Sequence, residues 1–252
     1  MKAILSIRFA LAISLITALL VLSGCTHYYY APNMQNVPVF QQKGESRINL
    51  ALSTGDEWSG FELQGAHAFT NRVGGVFNFV TGGGDDDEYG SGHGTMLEGG
   101  AGYFYPAGKH FVFETYGQLG YGGIKNLYTN NSSSYSNVDF FRFSVQPAVG
   151  FRNSIVEFIF SARMASLNYL SIKQSYVGDS FELKNLDYIH DHSSSLLAEP
   201  AATLRLGYKY IKLQLQVGGS FNLTAPDLQQ ENANVNFGLA FTIPPPKKTS
   251  TD

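Results

Sequence analysis

Between residues 47 and 243, apolar and polar side chains alternate with a period of two in one segment after another, and helical periodicity is absent. Successive side chains of a strand point to opposite faces, so this alternation gives strands with one apolar and one polar face. Ten segments carry it: residues 47–54, 58–69, 73–81, 96–105, 111–121, 139–151, 155–167, 197–208, 211–222 and 234–243. Ten strands is a high count for one chain of 252 residues but normal for a barrel. The composition agrees. Charged residues make up 15% of the chain, against roughly 25% in soluble domains, beside 27 Gly, 19 Phe and 15 Tyr. Few charges and many aromatics suit an all-β protein that shows apolar surface to something other than water.

The connections alternate in length. Tight turns fall at 71–72, 106–109, 152–154 and 209–210, and larger loops at 82–95, 123–138, 171–195 and 224–233; the first loop, 55–57, is a short exception. In up-and-down order all tight turns lie at one end and all larger loops at the other, the pattern of outer-membrane barrels with short periplasmic turns and long outer loops. An even strand count places both ends of the barrel on the tight-turn side.

Closure leaves two choices. In a soluble lipocalin-like barrel, Phe61, Phe77, Phe143 and Phe158 would line a dry cavity for an apolar ligand. In a membrane barrel the same residues meet lipid and the polar face fills the lumen. The polar face favours the membrane: it is rich in Gln, Glu and Arg, separated by Gly and Ala, and nearly lacks Lys. Glu62, Glu98, Glu114, Glu157 and Glu199 then face inward with Arg142, Arg163, Arg205 and Lys212. Buried charges must pair, so these residues read as an ion-pair network that plugs a narrow lumen, with a small pore or proton path as the alternative. On the apolar face, Phe69, Tyr103, Tyr105, Phe111, Phe151, Tyr208 and Tyr210 cluster beside the tight turns, as an aromatic girdle at a membrane interface would. Pro147 and Pro200 fall inside strands, where a closed barrel has no free edge for them; they mark bulges or strand ends.

The chain opens with Lys2 and Arg8, an apolar run over 9–22 and the word Leu22-Ser23-Gly24-Cys25. That is a secretory signal, too short and too early to be a spanning helix. The word resembles a bacterial lipobox, and the resemblance implies cleavage before Cys25, diacylglycerol on its thiol and an acyl chain on the new N-terminus. Cys25 is the only cysteine, so it has no disulfide partner. The last strand holds Asn236-x-Gly238-x-x-Phe241-x-Ile243, which resembles the β-signal read by the outer-membrane assembly machinery. Together these words make the chain similar to small lipobox-bearing outer-membrane β-barrels of unassigned function. That likeness implies outer-membrane lipid, the barrel-assembly machinery and the lipoprotein-sorting machinery as partners.

Other chemistry is weak. A net charge of −3 with no basic stripe excludes a nucleic-acid role. His190-Asp191-His192 in one large loop and Asp85-Asp86-Asp87-Glu88 in another resemble, by loop placement alone, the acidic and Asp/His pairs of the omptin surface proteases. Two solvated polar loops are the reading the residues favour. The acidic run lacks EF-hand spacing, and no metal or cofactor is expected beyond the covalent lipid on Cys25.

The expectation is an all-β, up-and-down antiparallel transmembrane β-barrel of about ten strands. Residues 1–24 form a removed signal, 25–45 a lipidated tether between lipid and barrel, 46–243 the barrel, and 244–252 a Pro/Lys-rich tail. The protein is expected to be non-enzymatic and lipid-anchored in the outer membrane, with a structural or surface-interaction role.

Overall fold

The computed structural model describes residues 27–56, 58–86, 90–128, 134–175 and 180–246. The described chain forms one antiparallel sheet: β1 (Ser46–Thr54), β2 (Ser59–Ala68), β3 (Val73–Asp86), β4 (Gly90–Ala107), β5 (Phe111–Tyr128), β6 (Tyr135–Arg152), β7 (Val156–Ser175), β8 (Ser194–Tyr208), β9 (Ile211–Gly219), β10 (Phe221–Asn222) and β11 (Ala233–Ile243). Each strand from β1 to β9 pairs with its sequence neighbour, β9 pairs with β11, and β11 returns to β1 through Leu50↔Leu239 and its flanking pairs. The two-residue β10 continues the line of β9 along β8, so the closed barrel has ten staves. Closure leaves no edge with unpaired backbone groups, which hydrocarbon could not satisfy.

The two faces separate as the period requires. Along β5, Phe111, Phe113, Leu119 and Tyr121 are exposed on the outer wall, and Val112, Glu114, Tyr116 and Gln118 are buried inside. Phe61, Phe77, Phe143 and Phe158 point outward with 40%, 44%, 48% and 41% of their surface exposed, so no apolar cavity lined by them exists. This overturns the soluble-carrier alternative: the apolar face is the outer one, and hydrocarbon rather than water is the solvent it fits.

Three expectations about the loops are corrected. Strands β3 and β4 pair as far as Asp86↔Gly90, so most of 82–95 is a protruding hairpin, and β5 with β6 likewise claims most of 123–138. Gly82, Gly83 and Gly84 bring no side chains to the pattern, and in β6 polar Asn137 and Asp139 take the outer face while Ser136 and Val138 are buried inside, so the apolar-out, polar-in alternation lapses while the backbone ladder continues. The third large loop contains a helix, α1 (Ser180–Asp191). Glu182, Leu186 and Ile189 are its buried residues, spaced as one face of a helix, and the short stripe is hard to see in a polar loop.

The two prolines have a common explanation. Pro200 pairs with Ala162 of β7, and its other side meets the break between β9 and β10. Pro147 falls where the β6–β7 ladder lapses between Val145↔Met164 and Ala148↔Ser161, with register kept. Each proline therefore sits where the ladder needs no N–H from it; neither marks a bulge or a strand end.

Candidate functional site

Residues 28–42 contain no charged side chain, but they do contain amides and tyrosines. Read from the sequence as a tether outside the barrel, this stretch lies inside it. Tyr29, Tyr30, Asn33, Met34, Gln35, Asn36, Val37, Val39 and Phe40 are almost wholly buried. Tyr29 sits at the large-loop end, where its hydroxyl donates to Glu182 of α1 at 2.8 Å and lies 3.1 Å from the hydroxyl of Tyr128. Phe40 sits at the tight-turn end, edge-on to Phe104 with ring centres 5.4 Å apart. The chain thus traverses the lumen lengthwise before entering β1.

The segment has no secondary structure of its own, so the barrel wall must satisfy its backbone. Met34 N–H donates to both carboxylate oxygens of Glu62 at 2.8 and 2.9 Å, and Met34 C=O accepts from Gln64 at 2.7 Å. The side-chain amide of Gln216 receives Gln35 N–H at 2.7 Å and donates to Gln35 C=O at 3.0 Å. The carbonyls of Pro32, Asn33, Asn36, Val37 and Val39 accept from Asn234, Arg163, Gln146, Arg205 and Arg152 respectively. Val39 N–H donates to Glu114 at 2.9 Å. Close passage also needs small wall residues. A Cβ on Gly150 would lie 2.6 Å from Val39, and one on Gly74 would lie 2.9 Å from the Phe40 ring.

This geometry places every expected lumen charge. Glu62, Glu98, Glu114, Arg142, Glu157, Arg163, Glu199, Arg205 and Lys212 are all buried on the inner face. Glu157 is the hub. It receives Arg47 at 2.9 Å, Arg205 at 3.0 Å and Lys212 at 3.0 Å, with Arg152 at 3.4 Å. Arg142 pairs with Glu98 at 2.7 Å and Arg163 with Glu199 at 2.5 Å. Glu62 and Glu114 depart from the expected ion-pair network: their close partners are the backbone N–H groups of the threaded segment, with the Ser53 hydroxyl also on Glu62. Ion pairs alone therefore do not plug the lumen; the chain's own N-terminal segment fills it, held by those charges. Arg47, Arg152 and Glu45 complete the set at the tight-turn end, with Arg152 and Glu45 at 2.5 Å.

Apolar packing closes both ends. At the large-loop end Tyr29 and Tyr30 join Val138, Phe140, Leu167 and Tyr169, with Leu186 and Ile189 of α1 packed over them. At the tight-turn end Val37, Val39 and Phe40 join Phe104, Val112 and Ile159. Sequence reasoning missed the segment because its contacts are remote, such as Asn234 to Pro32. The one available signal was an uncharged, amide-rich run that a solvated tether has no reason to keep.

The remaining sequence candidates lie outside the lumen. Phe69, Tyr103, Tyr105, Phe111, Tyr208 and Tyr210 are exposed on the outer wall, and half-buried Phe151 packs edge-on against Phe111. Arg72 and Lys209 lie over the Tyr105 and Tyr208 rings at 4.5 and 5.0 Å. His190 and Asp191 lie 3.8 Å apart at the exposed end of α1, and His192 stacks on Tyr188. Asp85 is exposed on a different hairpin, and no cluster of three metal-ligating side chains occurs among the described residues. Cys25, Asp87, Glu88 and the tail residues 247–252 lie outside the described residues.

No protein-family model and no curated protein matches the chain. Among solved structures it is similar to the N-terminal β-barrel domain of Pseudomonas aeruginosa OprF, at 11% identity over 81% of this chain and 100% of that one, with a TM-score of 0.34. It is also similar to Ail, the attachment invasion locus protein of Yersinia pestis, at 12% identity over 80% and 99%, with a TM-score of 0.36. LpxR from Salmonella typhimurium superposes at 7% identity over 77% and 99%, with a TM-score of 0.40. Likenesses at this level say nothing of what the chain does, and its reading rests on its own outer wall and filled lumen.

Proposed function

We propose that the protein is an outer-membrane barrel, lipid-anchored through Cys25 and non-conducting, with a structural or surface-interaction role carried by its large-loop end. The observation that carries this reading is the threaded segment. Fully buried Glu62, Gln64, Arg142, Gln146 and Arg205 all bond to residues 28–40, leaving no water-filled path at their level. The membrane setting is supported by an outward apolar wall with an aromatic girdle at one rim. A non-catalytic role fits the exposure of His190 and Asp191 on the β7–β8 connection, with Asp85 on the β3–β4 hairpin.

Conductance tests the reading. The full chain, reconstituted in planar bilayers, is expected to give no steady current. A variant lacking residues 28–40 leaves a charged, water-accessible lumen and is expected to conduct. A full chain that conducts as well as the deletion variant would sink the proposal.

A further inference from the structure

The barrel begins and ends at the tight-turn side, the side that faces the periplasm in outer-membrane barrels. The threaded segment reverses this for the N-terminus. His27, the first described residue, lies at the large-loop end, where its Nδ1 is 3.0 Å from Glu182 of α1 and its ring stacks edge-on to Tyr128. Tyr29 N–H donates to the carbonyl of Gln229 in the β10–β11 connection, and Asn126 donates to Tyr28 C=O. Three connections of the large-loop end thus hold the segment where it leaves the lumen.

We infer that the lipid-bearing N-terminus is displayed on the outer face of the cell and inserts its acyl chains in the outer leaflet. This inference rests on the lipid-anchored membrane barrel proposed above. Cys25 is two residues from His27, and two residues span at most about 7 Å. The inner leaflet lies across a hydrocarbon core of about 30 Å. The lumen offers no return path, because residues 28–40 already fill it. A diacylated cysteine could not be drawn through so filled a lumen either, so the segment is laid in place before β1 and β11 close the barrel. The occupant of the surface beside the large-loop mouth is therefore the chain's own lipid, facing the outer leaflet.

The test uses the full chain with its own leader in a Gram-negative host. A protease site flanked by Gly and Ser is inserted between Thr26 and His27, upstream of every contact described above. Matched variants carry the site within residues 129–133, in an outer loop, or after Pro246, at the tight-turn end. The site must be cut in folded, detergent-solubilised protein, so that protection in cells reports location rather than crowding. Mass spectrometry of the N-terminal peptide reads acylation of Cys25. The expected result is an acylated peptide, with the 26/27 and loop sites cut by protease added to intact cells and the tail site cut only after permeabilisation. Protection of the 26/27 site in intact cells, with the loop site cut, overturns surface display but leaves the lipid-anchored barrel standing. An unmodified Cys25 overturns the lipid anchor itself, and with it this inference. A cut tail and a spared loop overturn the orientation of the barrel.

Discussion

Substituting Glu157 by Gln keeps the shape of the side chain and removes one charge from the centre of the lumen network. Arg47, Arg205 and Lys212 all lie within 3.1 Å of its carboxylate oxygens. Among the described residues Arg47 retains only Glu45, at 3.7 Å, as an anionic neighbour within ion-pair distance. Arg205 keeps the Val37 carbonyl and the Gln214 side chain, and Lys212 keeps the Asn153 carbonyl, so two buried cations lose their acid outright. Removing one partner of a buried pair costs about 3–5 kcal/mol, because a charge remains in the interior without compensation. At about 2–4 °C per kcal/mol for a chain of this size, the midpoint should fall by roughly 6–20 °C. Glu114→Gln is the matched control. Its close partner is the Val39 N–H, which a Gln carbonyl still accepts, so its cost should stay near 1 kcal/mol. The assay is thermal unfolding in detergent micelles, followed by the mobility difference between folded and unfolded protein on unheated gels. Equal midpoints for the two variants would refute the claim that Glu157 is the hub.

Phe143→Arg puts a charge on the lipid face and should cost about 2–4 kcal/mol near the bilayer midplane, seen as loss of folded barrel from the membrane fraction. Gly150→Val should crowd Val39 and cost about 1–3 kcal/mol, and most of that cost should vanish in the chain lacking residues 28–40; an undiminished cost there would mean that the clash lies in the wall. Tyr30→Phe removes the hydroxyl that donates to Glu199 at 2.7 Å and accepts from Arg142 at 2.6 Å, so unfolding in denaturant should show a loss of about 1–3 kcal/mol. Gln146→Glu would turn a carboxylate oxygen toward the Asn36 carbonyl, and it should lower the unfolding midpoint although the residue sits on the polar face.

Strand identity, the sorting of residues into two faces, the inward charges and the outward girdle were all legible in the sequence, because each depends on a two-residue period set by local backbone geometry. The protruding hairpins were not, since Gly82, Gly83 and Gly84 have no side chains to alternate, and at 136–139 the outer residues turn polar while Val138 is buried inside, the reverse of the pattern along the rest of the wall. Helix α1 became stable only where Leu186 and Ile189 could cover the lumen end, a contact that its own residues do not announce. The threaded segment is the sharpest case. Its residues Tyr28 to Phe40 have no period, and their partners lie far along the chain, so only the closed barrel could bring Glu62, Glu114, Gln216 and Arg205 to one backbone. The sequence by itself determined a ten-strand barrel with an apolar and a polar face. Tertiary structure decided what fills the polar side and at which end the N-terminus emerges, because burial of an irregular strand depends on hydrogen-bond partners that exist only after closure.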